Sequence, residues 1–214
     1  MSQEEQTLTP AHERLYRKLR GDIMHGLIAP GRPITLRQLA ETHKTSITPA
    51  REAVRRLSTE GALRVSNTGR VATPRLSIDR IEELAAIRAL IEPEIASRAL
   101  PRAHTALIDR LEAINAAVDQ AVRSDDPSTY IRANLEFHRT LYLRAQAPAM
   151  LALIETVWLQ LGPTMAEMYS KLRRPSAALN HTNALAALKA GDEPGLRLSI
   201  RADVTSGLRV LTTS

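Results

Sequence analysis

The chain has 214 residues, of which 43% are hydrophobic, 24% are charged and 3% are aromatic. Because aromatic residues are so few, aliphatic side chains and Met must fill the core, which favours helices over a β-sandwich. The absence of cysteine excludes disulfides, thiolate metal sites and cysteine nucleophiles, and it fits a reducing cytoplasm. We expect no apolar run that approaches the ~18 residues of a membrane span, and the polar N-terminus is unlike a secretory signal.

Positive charge is concentrated in the first third of the chain. Residues 1–75 carry 13 Lys and Arg against 7 Asp and Glu, whereas residues 76–214 carry 16 of each. The net charge of +6 therefore belongs to the N-terminal part. A small basic module joined to a neutral one is typical of nucleic-acid-binding proteins, although chance surface charge would give the same balance.

Two helices are predicted before residue 45. The first runs from about Pro10 to Gly26, with Thr9 as its N-cap and Pro10 as its first residue. A loop rich in Gly and Pro follows over 26–33. Thr35 then caps a short helix over 36–43.

A third helix and a hairpin complete the N-terminal module. The helix is predicted to begin at a cap on Ser46 or Thr48 and to end near Glu60. Two β-like runs, 62–66 and 70–73, flank an Asn-Thr-Gly turn and predict a tight hairpin. Helix, helix, turn, helix and hairpin is the plan of a winged helix-turn-helix, in which the third helix enters the major groove. A generic three-helix module is the alternative.

The second part of the chain is helical almost throughout. Pro74 marks the boundary, which gives an N-terminal domain over 1–75 and a C-terminal domain over 76–214. The breakers are mostly Pro, Asp and Gly, among them Pro175. The predicted helices are 77–99, 103–123, 128–146, 148–171, 176–190 and 193–212. We expect them to form an antiparallel all-α bundle, so that the whole chain is mainly α.

Two groups of motifs resemble a known family. The segment 39–61, which contains Thr-Pro-Ala-Arg-Glu-Ala at 48–53, closely resembles the GntR family of bacterial regulators. Ile87-Arg88, Ile91-Glu92-Pro93, Glu136-Phe137-His138 and His181 with 187–192 resemble the FadR-type C-terminal domain, FCD. The resemblance covers almost the whole chain. It implies a ligand-responsive, homodimeric regulator that binds a double-stranded DNA operator, most simply a repressor released by a small carboxylate.

The resemblance also implies which residues contact DNA. In the family the basic residues matching Arg37 and Arg51 contact DNA, while Thr48 and the wing-tip Gly69 match positions at the backbone or minor groove. Arg51 lies one turn into the third helix, where a guanidinium can pair with both acceptors of a guanine edge. Arg55, Arg56 and Arg70 add positive charge. The full set expected at the DNA is Arg37, Ser46, Ile47, Thr48, Arg51, Arg55, Thr68, Gly69 and Arg70.

One position departs from the family pattern. Ile47 stands where the family usually carries arginine. Isoleucine cannot hydrogen-bond a base edge or a phosphate, but it can touch a thymine methyl or staple the helix start. We therefore hypothesise that this protein reads a different operator from its arginine-bearing relatives.

The resemblance further implies a metal site. FadR-type domains of the metal-binding kind use an aspartate, a histidine four residues later and two further histidines. The matching residues here are Asn134, His138, His181 and Asp203. Two imidazoles and one carboxylate remain, which suits zinc, nickel, manganese or iron, with ligand oxygens in the open positions. The alternative is that the histidines are ordinary core residues and that Asp203 is exposed.

Arg88 is the candidate contact for an organic anion. It lies in an otherwise apolar helical stretch, 84–91, and a buried charge there needs a partner. That partner is either a ligand carboxylate or an acidic residue such as Glu92.

Two other functional classes are consistent with parts of the sequence. Two His and an Asp can form a hydrolytic metal site, but no acid-base pair or nucleophile motif accompanies them, so we expect no enzyme. A ligand-free architectural DNA-binding dimer is the other alternative.

Overall fold

A computed structural model describes residues 9–171 and 177–212. The N-terminal part contains three helices and three short strands. The helices are α1 (Ala11–Met24), α2 (Leu36–Thr42) and α3 (Ile47–Thr59), and the strands are β1 (Ile34–Thr35), β2 (Arg64–Val65) and β3 (Arg70–Ala72).

The three strands form one antiparallel sheet in the order β1-β3-β2. The buried Val71 of β3 stands opposite Ile34 of β1 and Val65 of β2. The sequence predicted only the hairpin of β2 and β3. Strand β1 was missed because two residues are too few to show an alternating pattern.

Six helices follow within residues 76–171 and 177–212. They are α4 (Ile78–Ala99), α5 (Thr105–Arg123), α6 (Pro127–Tyr142), α7 (Pro148–Lys171), α8 (Ala177–Ala190) and α9 (Glu193–Thr212), with 3-10 turns at Leu100–Arg102 and Leu143–Ala145. Helix α4 packs on α9, α5 packs on α6, and α9 also contacts α8. The expected mainly-α fold, a winged helix-turn-helix followed by a helical bundle, is confirmed.

Some predicted helix ends were wrong. Helix α1 begins at Ala11 with Pro10 in the N-cap position, and no side chain caps it. Helix α6 ends at Tyr142 rather than near 146, because the chain tightens into a 3-10 turn and then takes a left-handed conformation at Gln146. The predicted breaker Pro175 lies outside the described residues. By contrast, Thr35 caps α2 as expected, in a reciprocal pair with Gln38.

Helix α7 joins the two halves of the molecule. Its Leu159 is fully buried within the N-terminal core, beside residues of α1 and α3. One turn further on, Gly162 lies directly against the backbone of Ile23 and Met24, with no room for a Cβ atom. The two halves therefore meet in close van der Waals contact.

The apolar character of α7 was underestimated from the sequence. Among the described residues, Pro148–Ser170 is the one helical stretch that is long and apolar enough to cross a membrane, with a mean hydropathy of 1.2. Half of this stretch is buried inside the protein. We therefore interpret α7 as a core helix that is buried by both halves of the chain.

Candidate DNA interface and candidate metal centre

Helix α3 presents one buried face and one exposed face. Ala50, Ala53 and Leu57 are buried against the N-terminal core, since they recur every three or four residues. The opposite face is open to solvent, with Ile47 47% exposed. It carries Ser46, Ile47, Thr48, Arg51 and Arg55, all predicted to contact DNA.

The exposed arginines differ in how they are held. Arg55 pairs with Glu52 at 2.6 Å, and Arg37 of α2 pairs with Glu41 at 3.0 Å. The Arg51 side chain makes no hydrogen bond or ion pair with any other described residue. Its guanidinium is therefore the one on this face that can engage a base without first breaking an ion pair.

The wing turn is built as the sequence predicted. The Gly69 N–H donates to the Ser66 carbonyl at 2.9 Å, and the Ser66 and Thr68 hydroxyls are 2.9 Å apart. Gly69 has a φ of +75°, a backbone conformation that favours glycine. Arg70 follows immediately on β3 and is exposed, so the hydroxyls and the arginine lie together at the tip.

Arg56 has a structural role that the sequence did not reveal. Its guanidinium lies 3.6 Å from the centre of the Tyr16 ring and pairs with Glu13 at 2.8 Å. Glu60 also contacts Arg56 and accepts a hydrogen bond from Tyr16 at 2.6 Å. Arg56 therefore fastens α3 to α1.

A second basic surface was missed. Arg14 and Lys18 of α1 share a small concavity with His43 and Lys44, which lie between α2 and α3. Lys44 has a φ of +50°, so the chain turns sharply at this point. The only sequence signal was a positive residue in the turn of a helix-turn-helix.

The predicted metal-ligating residues meet in the core of the bundle. His138 of α6, His181 of α8 and Asp203 of α9 offer ligand atoms that all lie within 4.8 Å of one another. Asp203 Oδ2 is 2.9 Å from His138 Nε2 and 3.8 Å from His181 Nε2. All three residues are buried, so Asp203 is not the exposed residue of the alternative interpretation.

Two buried atoms, one at this centre and one on α6, lack a hydrogen-bond partner within the described part of the chain. They are His181 Nε2 and Asn134 Oδ1, the latter one helical turn before His138. His181 Nδ1 lies 3.1 Å from Asn115 Oδ1, which can only accept, so the lone pair of His181 is on Nε2. An orphaned imidazole lone pair near a carboxylate fits a divalent cation, and the orphaned amide oxygen of Asn134 is a further donor on α6.

The electrostatics also keep the donors available. Burial lowers the pKa of His181 to about 4, so its imidazole is neutral at neutral pH. Burial alone would raise the pKa of Asp203, but His181 and His138 hold it below its ordinary value. The carboxylate is therefore ionised.

Comparisons with known proteins match both the N-terminal and the C-terminal parts of the chain. Residues 83–206 match the FCD domain, and residues 11–72 match the bacterial regulatory proteins of the gntR family. The chain belongs to the GntR family, in its FCD branch.

Individual relatives extend over most of the regulator. This chain is 28% identical to the HTH-type transcriptional regulator McbR of Escherichia coli over 194 residues, 87% of each chain. The structure of E. coli McbR/YncC superimposes with a TM-score of 0.88 at 25% identity, covering 95% of this chain and 98% of that one. A probable D-xylose utilization operon transcriptional repressor of Paenarthrobacter nicotinovorans is 25% identical, over 80% of this chain and 75% of its own. These relatives are transcriptional regulators rather than enzymes.

Within the FCD domain of this GntR-family protein, a second buried network lies beside the metal-ligating residues. Glu92 is fully buried and accepts three hydrogen bonds: from Arg88 Nε at 2.5 Å, from Tyr142 Oη at 2.9 Å and from Trp158 Nε1 at 3.0 Å. Tyr142 also lies 3.0 Å from His138 Nδ1. The sequence singled out Arg88 and His138, but it gave no sign that Glu92 connects them.

Arg88 therefore has the acidic partner that was one of its two expected roles. Its terminal nitrogens make no hydrogen bond to another residue in the described ranges, since Nε alone bonds Glu92. One side chain can therefore pair with Glu92 through Nε and still have terminal nitrogens free for a ligand carboxylate.

Proposed function

We propose that this protein is a cytoplasmic, homodimeric repressor that binds an operator through residues 1–75 and releases it when a small carboxylate binds within residues 76–214. The observation that carries the proposal is the pairing of an exposed α3, with Arg51 unengaged, and a buried centre of two histidines and an aspartate. Membership of a family of regulators supports DNA binding. The name of the P. nicotinovorans relative supports repression.

In this proposal the DNA contacts are divided between reading and positioning. Arg51 reads a base edge in the major groove because its guanidinium is exposed and free of acidic partners. Arg37 and Arg55 exchange Glu41 and Glu52 for phosphates, which sets the register without reading sequence.

The hydroxyls and the wing complete the interface. Ser46 and Thr48 stand at the exposed start of α3, and Thr68, Gly69 and Arg70 form the wing tip. We infer phosphate or minor-groove contacts there, since such contacts come from hydroxyls, backbone N–H groups and arginines. Ile47 offers only apolar contact, to a thymine methyl.

His138, His181 and Asp203 are the residues that would hold a divalent metal, with the Asn134 amide oxygen as a weak fourth donor. A bound zinc, nickel, manganese or iron ion would act as a Lewis acid that attracts carboxylate oxygens. Asn115 orients the His181 ring, and Tyr142 orients His138, as partners of metal-ligating histidines commonly do.

The effector is inferred from the charges that surround this centre. Arg88 is 4% exposed and uses only Nε on Glu92, so its terminal nitrogens can bind a carboxylate. Because Glu92 also holds Tyr142 and Trp158, a ligand on Arg88 would shift α6 and α7 together. Helix α7 carries Leu159 into the N-terminal core, which provides a path from effector to DNA.

Dimer formation is supported by exposed leucines on two helices that pack together. Leu90 of α4 is 69% exposed and Leu153 of α7 is 60% exposed. Helices α4 and α7 pack on each other. A second copy that covered these leucines would bring two α3 helices to a pseudo-palindromic operator.

The test is a selection on random DNA followed by binding titrations on the recovered site. Arg51→Ala should weaken binding by ~1–3 kcal/mol and relax the preference at one base pair. The matched control Arg123→Ala removes the same charge at the exposed end of α5 and should leave affinity within twofold. Recovery of no consensus, or equal effects of the two variants, would contradict sequence-specific DNA binding.

A second arm separates the repressor from its alternatives. Organic acids are screened by thermal shift with and without Zn²⁺, and each acid that stabilises the protein is added to the DNA complex. Release of DNA by a carboxylate supports the proposal. If no acid stabilises the protein or changes its DNA affinity, the result supports the ligand-free architectural dimer, whereas turnover of the acid supports a hydrolase.

A further inference from the structure

A cleft of about 530 Å³ lies on the side of α6 opposite the metal-ligating residues. Arg132, Glu136 and Arg139 recur at four and three residues along α6 and therefore share one face of the helix. Asn134 and His138 lie on the other face and point into the core, where both are buried. The cleft is thus separated from the buried centre by the width of the helix.

Four arginines line this cleft: Arg110, Arg132, Arg139 and Arg144. We call it the arginine cleft. Arg139 pairs with Glu155 at 3.0 Å, and Arg110 reaches Glu136, the one carboxylate of the lining, only at 3.7 Å. Arg132 and Arg144 form no ion pair or hydrogen bond with any residue that the structure describes. Arg132 is near enough to Asp126 to help lower the pKa of that carboxyl, but neither guanidinium has a direct ionic partner there. Two arginines without an ion pair in one concavity attract an anion.

Four apolar side chains, Met24, Leu135, Leu143 and Trp158, also line the arginine cleft. Leu135 and Trp158 form its floor, and Leu143, half-exposed, stands at its rim. A volume of several hundred Å³ with apolar walls and a few polar groups is typical of small-molecule sites. Guanidiniums suit planar or tetrahedral oxyanions, because their N–H groups form paired hydrogen bonds with carboxylate and phosphate.

The DNA-binding half closes one end of the arginine cleft. Met24 and His25, at the end of α1, belong to its lining. Burial and the charge of Arg132 lower the pKa of His25, so positive charge is already crowded at this point. An anion here would contact both halves of the protein and relieve that crowding.

We propose that the arginine cleft is a second ligand site, which binds a small organic dianion with an apolar body between Arg132, Arg144 and Trp158. It is distinct from the proposed effector site at Arg88 and does not require a metal. The Trp158 indole separates the two, since its ring lines the cleft while its N–H donates to the buried Glu92. The concave shape favours a small molecule over a DNA backbone.

The single tryptophan of the chain makes binding directly observable. Phenyl phosphate and phthalate are titrated against the full-length protein while Trp158 emission is recorded, with benzamide as the uncharged probe. We expect a saturable change for at least one dianion and none for benzamide, and the two dianions distinguish phosphate from carboxylate chemistry. The titration extends to about 10 mM, ten times a Kd of about 1 mM. No saturable change with either dianion up to that concentration would overturn the proposal.

Variants locate the site. Arg132→Gln with Arg144→Gln should weaken dianion binding at least tenfold without loss of thermal stability, because neither side chain has an ion pair to lose among the described residues. Arg102→Gln, at an exposed arginine outside the cleft, is the matched control and should bind as the wild type does. Equal affinities for all three proteins would show that the dianion binds elsewhere.

Two further measurements distinguish binding in the arginine cleft from binding at the buried centre and from a macromolecular contact. The titration is repeated with and without Zn²⁺ and in His181→Gln. Unchanged binding supports the arginine cleft, whereas loss of binding assigns the dianion to the buried centre. If the double arginine variant instead weakens DNA binding or dimerisation while the dianions leave Trp158 unchanged, these arginines serve a macromolecular contact and the proposal is wrong.

Discussion

Asp203 Oδ2 lies 2.9 Å from His138 Nε2, although the two residues are 65 positions apart and both are buried. On the other side of the ring, His138 Nδ1 faces the hydroxyl of Tyr142, which gives its own proton to Glu92. Nδ1 must therefore be the protonated nitrogen, which leaves the lone pair of a neutral His138 directed at a carboxylate. A hydrogen or a metal ion between Nε2 and Oδ2 makes this contact favourable.

The first prediction concerns the affinity of the buried centre for a divalent metal ion. Asn134→Asp restores the carboxylate that the metal-binding relatives carry, and it should tighten Zn²⁺ or Ni²⁺ binding at least tenfold, because a charged oxygen replaces a poor amide donor. Asp203→Asn should abolish the metal-dependent rise in melting temperature, because the carboxylate at the centre is lost. Both effects are measured by metal analysis and thermal shift on protein purified without chelators.

The surface histidine His12 provides the control for that experiment. His12→Ala removes an exposed imidazole and should leave the metal response unchanged. If Asp203→Asn and the wild type respond equally to metal, the buried cluster is not the binding site.

The second prediction concerns the buried carboxylate of Glu92. Glu92→Leu leaves the Arg88 guanidinium without its acidic partner inside the protein, which should cost about 3–5 kcal/mol of unfolding free energy. The double variant Arg88→Met with Glu92→Leu removes the stranded charge. We expect it to be more stable than Glu92→Leu alone, as measured by urea unfolding. A double variant that is less stable than the single one would contradict the proposed dependence of Arg88 on Glu92.

Operator reading gives the third prediction. Ile47→Arg restores the family arginine at an exposed position and should steepen the dependence of DNA affinity on salt by about one counterion. Ile47→Gln is the uncharged control and should leave the salt slope unchanged. In a selection on random DNA, the wild type should recover a consensus site that differs from the site of its arginine-bearing relatives. The consensus of Ile47→Arg should be closer to the relatives' site. An identical consensus for the wild type and the relatives would refute the altered specificity.

The fourth prediction uses two glycines. A Cβ at Gly162 would overlap the Ile23 carbonyl oxygen, so Gly162→Ala should force α7 away from α1 and cost about 1–3 kcal/mol. Gly21→Ala, on α1 itself, meets no atom within 4 Å and should instead stabilise the protein by about 0.5–1 kcal/mol. Melting temperatures of the two variants measure the contrast, and a neutral Gly162→Ala would show that the helices separate freely.

Local chemistry explains what the sequence could predict. Ser77 and Thr35 cap the helices that they were expected to begin, since a hydroxyl and the next turn of backbone are enough to set a helix start. The face of α3 and the wing turn followed in the same way from spacing and from a single glycine. These features depend on residues within one or two turns of one another.

Relationships between distant residues were beyond such reasoning. Asp203 was matched to His138 only through the family resemblance, because nothing in its own surroundings marks a ligand. The arginine cleft has no signature at all, since its four arginines are spread over 35 residues of three elements. The packing of Leu159 in the N-terminal core could not be predicted either, because the sequence of an apolar helix does not show which core each leucine will enter.

That leucine limits how far the DNA-binding half can be treated as a portable module. A fragment ending near residue 75 would lack the side chain that fills its own core beside Ile23 and Leu57. The resulting hole would loosen the very helix that is meant to enter the groove. A fusion of this DNA-binding half to another effector domain must therefore include an equivalent of Leu159 on the contacting helix. Otherwise the N-terminal core must be redesigned to fill the space that Leu159 occupies.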